Sequence, residues 1–189
     1  MTNNELVKIY FIRHGEAKAS WEEDPDPGLS KKGKSQSELL VNEILNELPS
    51  NIDVVSSPLL RARETALPLQ NKLGAQVEIS NTYTEIPSPG ILLSDRKEWL
   101  RKIFNAKVSE LEEPQIKWRN NIITSLQLIK KNTIFFSHFM VINSVVGWIN
   151  DSKKVVSFHP DNCSITKIES KEGKFIATKL GKDFATTVQ

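Results

Sequence analysis

Short runs of β-branched and aromatic residues alternate with stretches of helical period along most of this chain, and few folds accept that alternation. Val7 to Ile12 (VKIYFI) is apolar apart from Lys8 and short enough to be a buried strand. Ser30 stands as an N-cap ahead of Leu40, Val41, Ile44, Leu45 and Leu48 at helical spacing, and Pro49 ends that helix. Gly33 near its start costs helix stability, which points to a close approach there. Asp53 to Ser57 (DVVSS) reads as a second strand. Ser57-Pro58 then reads as a helix start, a hydroxyl cap with proline at the first helical position. Gly74 stops that helix, and Pro68 inside it should kink or interrupt it. Gln76 to Ser80 (QVEIS) is a third strand.

Pro114 opens a longer helix through Trp118, Ile122, Leu126 and Ile129, ending at Lys130-Lys131-Asn132, a basic last turn suited to the helix dipole. Thr133 to Ser137 (TIFFS) is a fourth strand, followed by a helix from Val141 to Ile149. Cys163 to Ser170 and Lys174 to Leu180 are strands joined by Lys171-Glu172-Gly173, a hairpin signal. The expected fold class is α/β: three layers, an open and mostly parallel sheet with helices on both faces, and a C-terminal β-hairpin. Residues 81 to about 114 interrupt the alternation. There Asp95-Arg96-Lys97-Glu98 has the form of a capping box, and Trp99, Leu100, Ile103 and Phe104 make an amphipathic stripe. This segment reads as a small helical cap inserted in a single domain spanning 1–189.

A net charge of +2 is too near neutral for a nucleic-acid binder, so any positive site must be local. Cys163 is the single cysteine, which excludes an intrachain disulfide and a thiolate metal cluster. No metal-binding motif is present, and no metal or cofactor is expected. MTNNELVK lacks the apolar stretch of a signal peptide and no run approaches membrane-spanning length, so a cytoplasmic protein without membrane contact is expected.

Arg13-His14-Gly15-Glu16 follows the first strand directly, and the polar, proline-bearing stretch from Glu16 to Gly28 is a long loop of the kind that carries function. His138 follows the fourth strand directly, and Arg61 falls in the first turn of the helix after the second. In an open parallel sheet those strand ends share one edge, where ligands bind. Arg13, His14, Arg61 and His138 are therefore expected around one pocket, and that much positive charge suits a phosphoryl group. Arg63 lies two residues from Arg61 and faces elsewhere on the helix.

Arg13-His14-Gly15-Glu16, Pro27-Gly28-Leu29-Ser30 with Gly33 and Gln36, Ser56-Ser57-Pro58-Leu59-Leu60-Arg61-Ala62 with Thr65-Ala66, and Ser137-His138 after an apolar strand together resemble the histidine phosphatase superfamily, the phosphoglycerate-mutase-like fold. The resemblance implies a metal-independent phosphomonoester hydrolase, a histidine acid-type phosphatase, in which His14 attacks phosphorus and becomes phosphorylated. It implies that Arg13, Arg61 and His138 hold the phosphoryl oxygens and that Glu85 protonates the leaving oxygen, with Glu16 the rival acid. Ser20 stands where relatives often carry a phosphate-binding asparagine, Phe139 where the family usually has glycine, and Asn143 where many relatives have arginine. The substrate is expected to be a phosphorylated small molecule or a phosphoprotein, and a homodimer is left open. The alternatives are a phosphoglycerate-mutase-type phosphotransferase and a phosphate-binding regulator without turnover.

Overall fold

The structure, a computed structural model, describes residues 5–19 and 24–182. Its centre is a six-stranded mixed sheet. The strands are β1 (Val7–Arg13), β2 (Asp53–Ser56), β3 (Val77–Ile79), β4 (Thr133–Ser137), β5 (Ile165–Lys171) and β6 (Lys174–Lys179), arranged in the order β3-β2-β4-β1-β5-β6. β3, β2, β4 and β1 run parallel, while β5 pairs antiparallel with β1 and β6 with β5. The expected α/β class, open sheet and terminal hairpin are all present. Glu172 and Gly173 take φ of 53° and 77°, the left-handed pair that a two-residue hairpin turn needs.

Helices α1 (Lys31–Ile44) and α2 (Leu60–Leu73) cover one face of the sheet, and α4 (Glu113–Gln127) and α5 (Phe139–Ile149) cover the other; α3 (Arg96–Asn105) lies between β3 and α4 in the chain. Strand alternation divides the core accordingly. Tyr10, Ile12, Ile134 and Phe136 pack with Leu40, Val41, Ile44, Ala66 and Leu69. Ile9, Phe11 and Phe135 pack with Ile122, Leu126, Val141, Ile142 and Val145. Phe11 and Phe135 stack across adjacent strands with ring centroids 4.8 Å apart. The stripe of α3, Trp99, Leu100, Ile103 and Phe104, joins Ile86, Leu111, Phe139 and Met140 in a third apolar cluster over the start of α5. Among the described residues no helix is long and apolar enough to cross a membrane.

Several local expectations are corrected. Ser57 does not cap α2: the cap position is Leu59, and the Ser57 hydroxyl contacts His138 instead. Asp26 takes over the capping role from a distant loop, its Oδ1 accepting the Leu60 N–H at 2.8 Å. Helix α2 runs through Pro68 unbroken. Asp95 forms no capping hydrogen bond, because residues 93–95 already turn as a 3-10 helix and its carboxylate accepts from the Ser94 hydroxyl. Helix α4 ends at Gln127, so the two lysines lie beyond it; Asn132 instead accepts the Lys8 N–H and ties the turn to β1. Helix α5 starts earlier than expected, at Phe139.

Candidate active site

Neighbouring strands β1 and β4 send their following helices to opposite faces, α1 to one and α5 to the other. Their carboxyl ends therefore open a crevice, the switch point of an open α/β sheet. The register pairs Arg13 with Ser137, so His14 and His138 stand one residue further on, facing each other across that crevice. Their ring centroids are 5.2 Å apart. β2 lies on the far side of β4, and the chain leaving it brings Arg61 up at the start of α2. Arg13, His14, Arg61 and His138 thus meet, as expected.

The hydrogen bonds assign the His14 tautomer. Nδ1 lies 2.8 Å from the Gly15 carbonyl, which only accepts, so Nδ1 carries the proton. Nε2 keeps its lone pair and accepts from Arg61 Nε at 3.2 Å. Burial first, then the Arg61 and Arg13 guanidinium groups, hold the His14 ring well below the ordinary histidine range, against the Gly15 carbonyl. His138 is pushed the same way by burial, by Arg61, by His14 and by Arg13. Both rings are neutral at pH 7.

Arg61 is only 1% exposed, and its Nη1 lies 3.8 Å from Asp26 Oδ1. Arg13 donates to the Pro160 carbonyl at 2.9 Å and stands 5.3 Å over the Phe139 ring. Phe139 stacks on Phe104 of α3 at 5.0 Å, so the residue that replaces the family glycine clamps α3 and Arg13 together. Asn143 is turned away from phosphate chemistry: its Oδ1 accepts from the Ser157 and Phe158 amides, and its Nδ2 donates to the Phe139 carbonyl.

Glu85 comes from the turn after β3 and is half-buried beside the crevice. Burial raises its carboxyl, opposed by the Ile86 and Met140 N–H groups and by Arg61 and Arg13. Both N–H groups donate to Oε1, so Oε2 is the carboxyl oxygen without a backbone donor. Glu16 is set differently. Its carboxylate accepts from Ser30 Oγ and Lys32 Nζ, each at 2.8 Å, and these bonds hold it below the ordinary carboxylate range. Ser20 lies outside the described residues. Arg63 is exposed, as expected for the other helix face.

The backbone around His14 is pinned by residues to which sequence reasoning assigned no role. Asn162 Nδ2 donates to the His14 carbonyl, Thr65 Oγ1 accepts the Gly15 N–H, and Gln36 Oε1 accepts the Glu16 N–H, each at 2.9 Å. Thr65 and Gln36 sit in the quoted motifs, which is the signal that could have found them; Asn162 has no such signal. Gly33 passes so close that a Cβ there would lie 2.1 Å from the Glu16 carbonyl oxygen. Cys163 is buried and its thiol is pushed up to about 12, consistent with a packing role.

Comparison with known proteins bears on the family and the fold. Over 93% of its length the chain is 25% identical to phosphoserine phosphatase 1 of Hydrogenobacter thermophilus, covering 92% of that protein. Its fold is similar to that of a mycobacterial glucosyl-3-phosphoglycerate phosphatase, with TM-score 0.74 and 14% identity over 93% of this chain and 99% of that one. It is also similar to the phosphoserine phosphatase of Entamoeba histolytica, with TM-score 0.71 and 19% identity over 93% of this chain and 97% of that one. A family model matches residues 9–183, and by that match the chain belongs to the histidine phosphatase superfamily, branch 1.

Proposed function

We propose that this protein is a phosphatase of small alkyl phosphate monoesters, a phosphoric monoester hydrolase of the histidine acid type, with His14 as nucleophile. It works as one domain of residues 1–189, with the segment of about 81–114 as its cap, in the cytoplasm. The observation that carries the reading is the His14 ring itself: neutral, with its proton held on Nδ1 by Gly15 and the Nε2 lone pair beside Arg61.

In the first step Nε2 attacks phosphorus and the bond to the leaving oxygen breaks. Positive charge develops on the imidazole, and the Gly15 carbonyl stabilises it through Nδ1–H. Arg13, Arg61 and His138 take the phosphoryl oxygens and stabilise charge on them in the transition state. Glu85 Oε2 gives its proton to the leaving alkoxide. In the second step Glu85 takes a proton from water, the oxygen attacks phosphorus, and the P–N bond breaks to restore neutral His14 and release phosphate. The raised Glu85 carboxyl supports it over Glu16 as the acid, since Glu16 is held ionised by Ser30 and Lys32.

Two similar proteins are named for phosphoserine and for glucosyl-3-phosphoglycerate. Both substrates are alkyl phosphates of small hydroxy acids, and that class is proposed here ahead of phosphoproteins. The test is rapid quench with labelled phosphoserine or 3-phosphoglycerate, with chelator present and phosphopeptides as comparison. The expected result is release of inorganic phosphate and an acid-labile, base-stable label on His14 that His14→Ala abolishes. Label on His138, or wild-type turnover in His14→Ala, overturns the mechanism. Transfer to a second hydroxyl compound in preference to water identifies a mutase-type phosphotransferase instead, and phosphate binding without turnover identifies a regulator.

A further inference from the structure

The proposed mechanism uses His138 as a phosphate ligand but leaves open which ring nitrogen meets the phosphoryl group and what decides it. A neutral imidazole has one N–H, so only one nitrogen can donate to a phosphoryl oxygen. His138 Nε2 lies 2.8 Å from Ser57 Oγ. Both residues are completely buried. Ser57 Oγ already accepts the Leu59 N–H at 3.3 Å, so its own hydrogen needs an acceptor. Among the described residues the acceptor within reach is His138 Nε2. The opposite arrangement, Nε2–H donating to Ser57, would bury the hydroxyl hydrogen with nothing to accept it.

The other ring nitrogen completes the argument. His138 Nδ1 is buried and has no hydrogen-bond partner among the described residues. It belongs to the ring that faces His14 across the crevice. A buried N–H without a partner, in a site built around two guanidinium groups, is a position for an anionic oxygen. Ser57 is itself held still. Its N–H donates to the Phe136 carbonyl and its carbonyl accepts from the Ser56 hydroxyl, each at 2.9 Å, so the hydroxyl starts from a backbone fixed by the end of β2.

We infer that Ser57 is a positioning residue that fixes the tautomer of His138: the Ser57 hydroxyl donates to Nε2, and the imidazole thereby presents Nδ1–H to the phosphoryl oxygens. Ser57 touches no reacting atom. It acts through His138, and the role deepens the phosphohistidine reading, on which it rests.

The test reads the tautomer directly. Protein labelled with nitrogen-15 in histidine, in the resting state, should show His138 Nδ1 as the protonated, pyrrole-type nitrogen and Nε2 as the bare, pyridine-type one. Ser57→Ala should move His138 toward the Nε2–H form. It should also weaken orthovanadate binding and lower kcat for phosphoserine by on the order of 10-fold to 100-fold, at or below the usual loss for deleting a direct donor. Ser57→Thr keeps the hydroxyl and should keep tautomer and rate. A protonated Nε2 in the wild type overturns the inference whether or not the variants fold, and so does an unchanged His138 tautomer in Ser57→Ala. Failure of the phosphohistidine reading shows separately, as absence of label on His14.

Discussion

Arg61 Nε points its hydrogen at His14 Nε2 across 3.2 Å, so the guanidinium that repels a proton from the imidazole also marks the lone pair proposed to attack phosphorus. The contact exists only because α2 starts at Leu60 and places Arg61 in its first turn, with the side chain directed into the crevice.

Arg61 and Arg63 should therefore separate cleanly. Arg61→Ala should lower kcat/KM by on the order of 100-fold or more, the scale of a lost transition-state charge contact. Arg63→Ala should leave it within a factor of about two, the range of a solvated surface charge. Steady-state kinetics on one substrate decides this, and the reverse pattern would mean that the other face of α2 meets substrate.

Glu85→Gln should slow alkyl phosphates severely and p-nitrophenyl phosphate much less, because a phenolate leaves without a proton. The alkaline limb of the kcat/KM profile for alkyl substrates should vanish with it, since that limb reports loss of the Glu85 proton. Glu16→Gln is the control. Selective loss of alkyl turnover in Glu16→Gln, with equal losses on both substrates in Glu85→Gln, would hand the acid role to Glu16.

Stability should depend on pH through the two histidines. Their folded-state values lie below the unfolded value of about 6.5, so the unfolded chain binds more protons on acidification and stability falls as pH drops from about 6.5. Glu85 works oppositely. Its raised carboxyl contributes stability below its unfolded value that is lost as pH rises through the folded one. In Glu85→Gln the thermal midpoint should therefore fall steadily on acidification, and adding His14→Asn and His138→Asn should flatten the slope. An unchanged slope in the triple variant would show that other groups govern it.

Gly33→Ala tests the close approach of α1 to the His14 loop. Alanine favours a helix interior by about 1 kcal/mol over glycine. Here its Cβ would sit 2.1 Å from the Glu16 carbonyl oxygen, and backbone must move to admit it. Overpacking of this kind costs about 1–3 kcal/mol, so the mid-range net cost is about 1 kcal/mol and Tm should fall by about 2–4 °C. A higher Tm would show that the loop yields freely.

Asp26→Asn keeps an oxygen for the Leu60 N–H but removes the negative charge 3.8 Å from Arg61. Asp26 is half-exposed, so the interaction is worth about 1 kcal/mol or less. KM for phosphate monoesters should fall by a factor of about two to five with kcat unchanged. A rise in KM would mean that Asp26 orients Arg61 rather than competing with the phosphate.

Short apolar runs and helical period were enough to determine the sheet and both helical layers, and a turn signal the hairpin, because burial on both faces makes Ile9 to Ile12 continuously apolar and burial on one face imposes a helical repeat on Leu40 to Leu48. Arg13, His14, Arg61 and His138 were also legible, since each stands at or just after a strand end, and parallel strand ends share an edge. Helix boundaries and partners were not. Ser57 before Pro58 has every local mark of a cap, yet Asp26 caps α2 from a loop 34 residues away in sequence and frees the Ser57 hydroxyl for His138. Asn162 reaches the His14 carbonyl across 148 residues. Local propensity acts over one or two turns of chain, whereas the tautomers of His14 and His138 and the raised carboxyl of Glu85 depend on burial and on charges that only the packed crevice brings within a few ångströms.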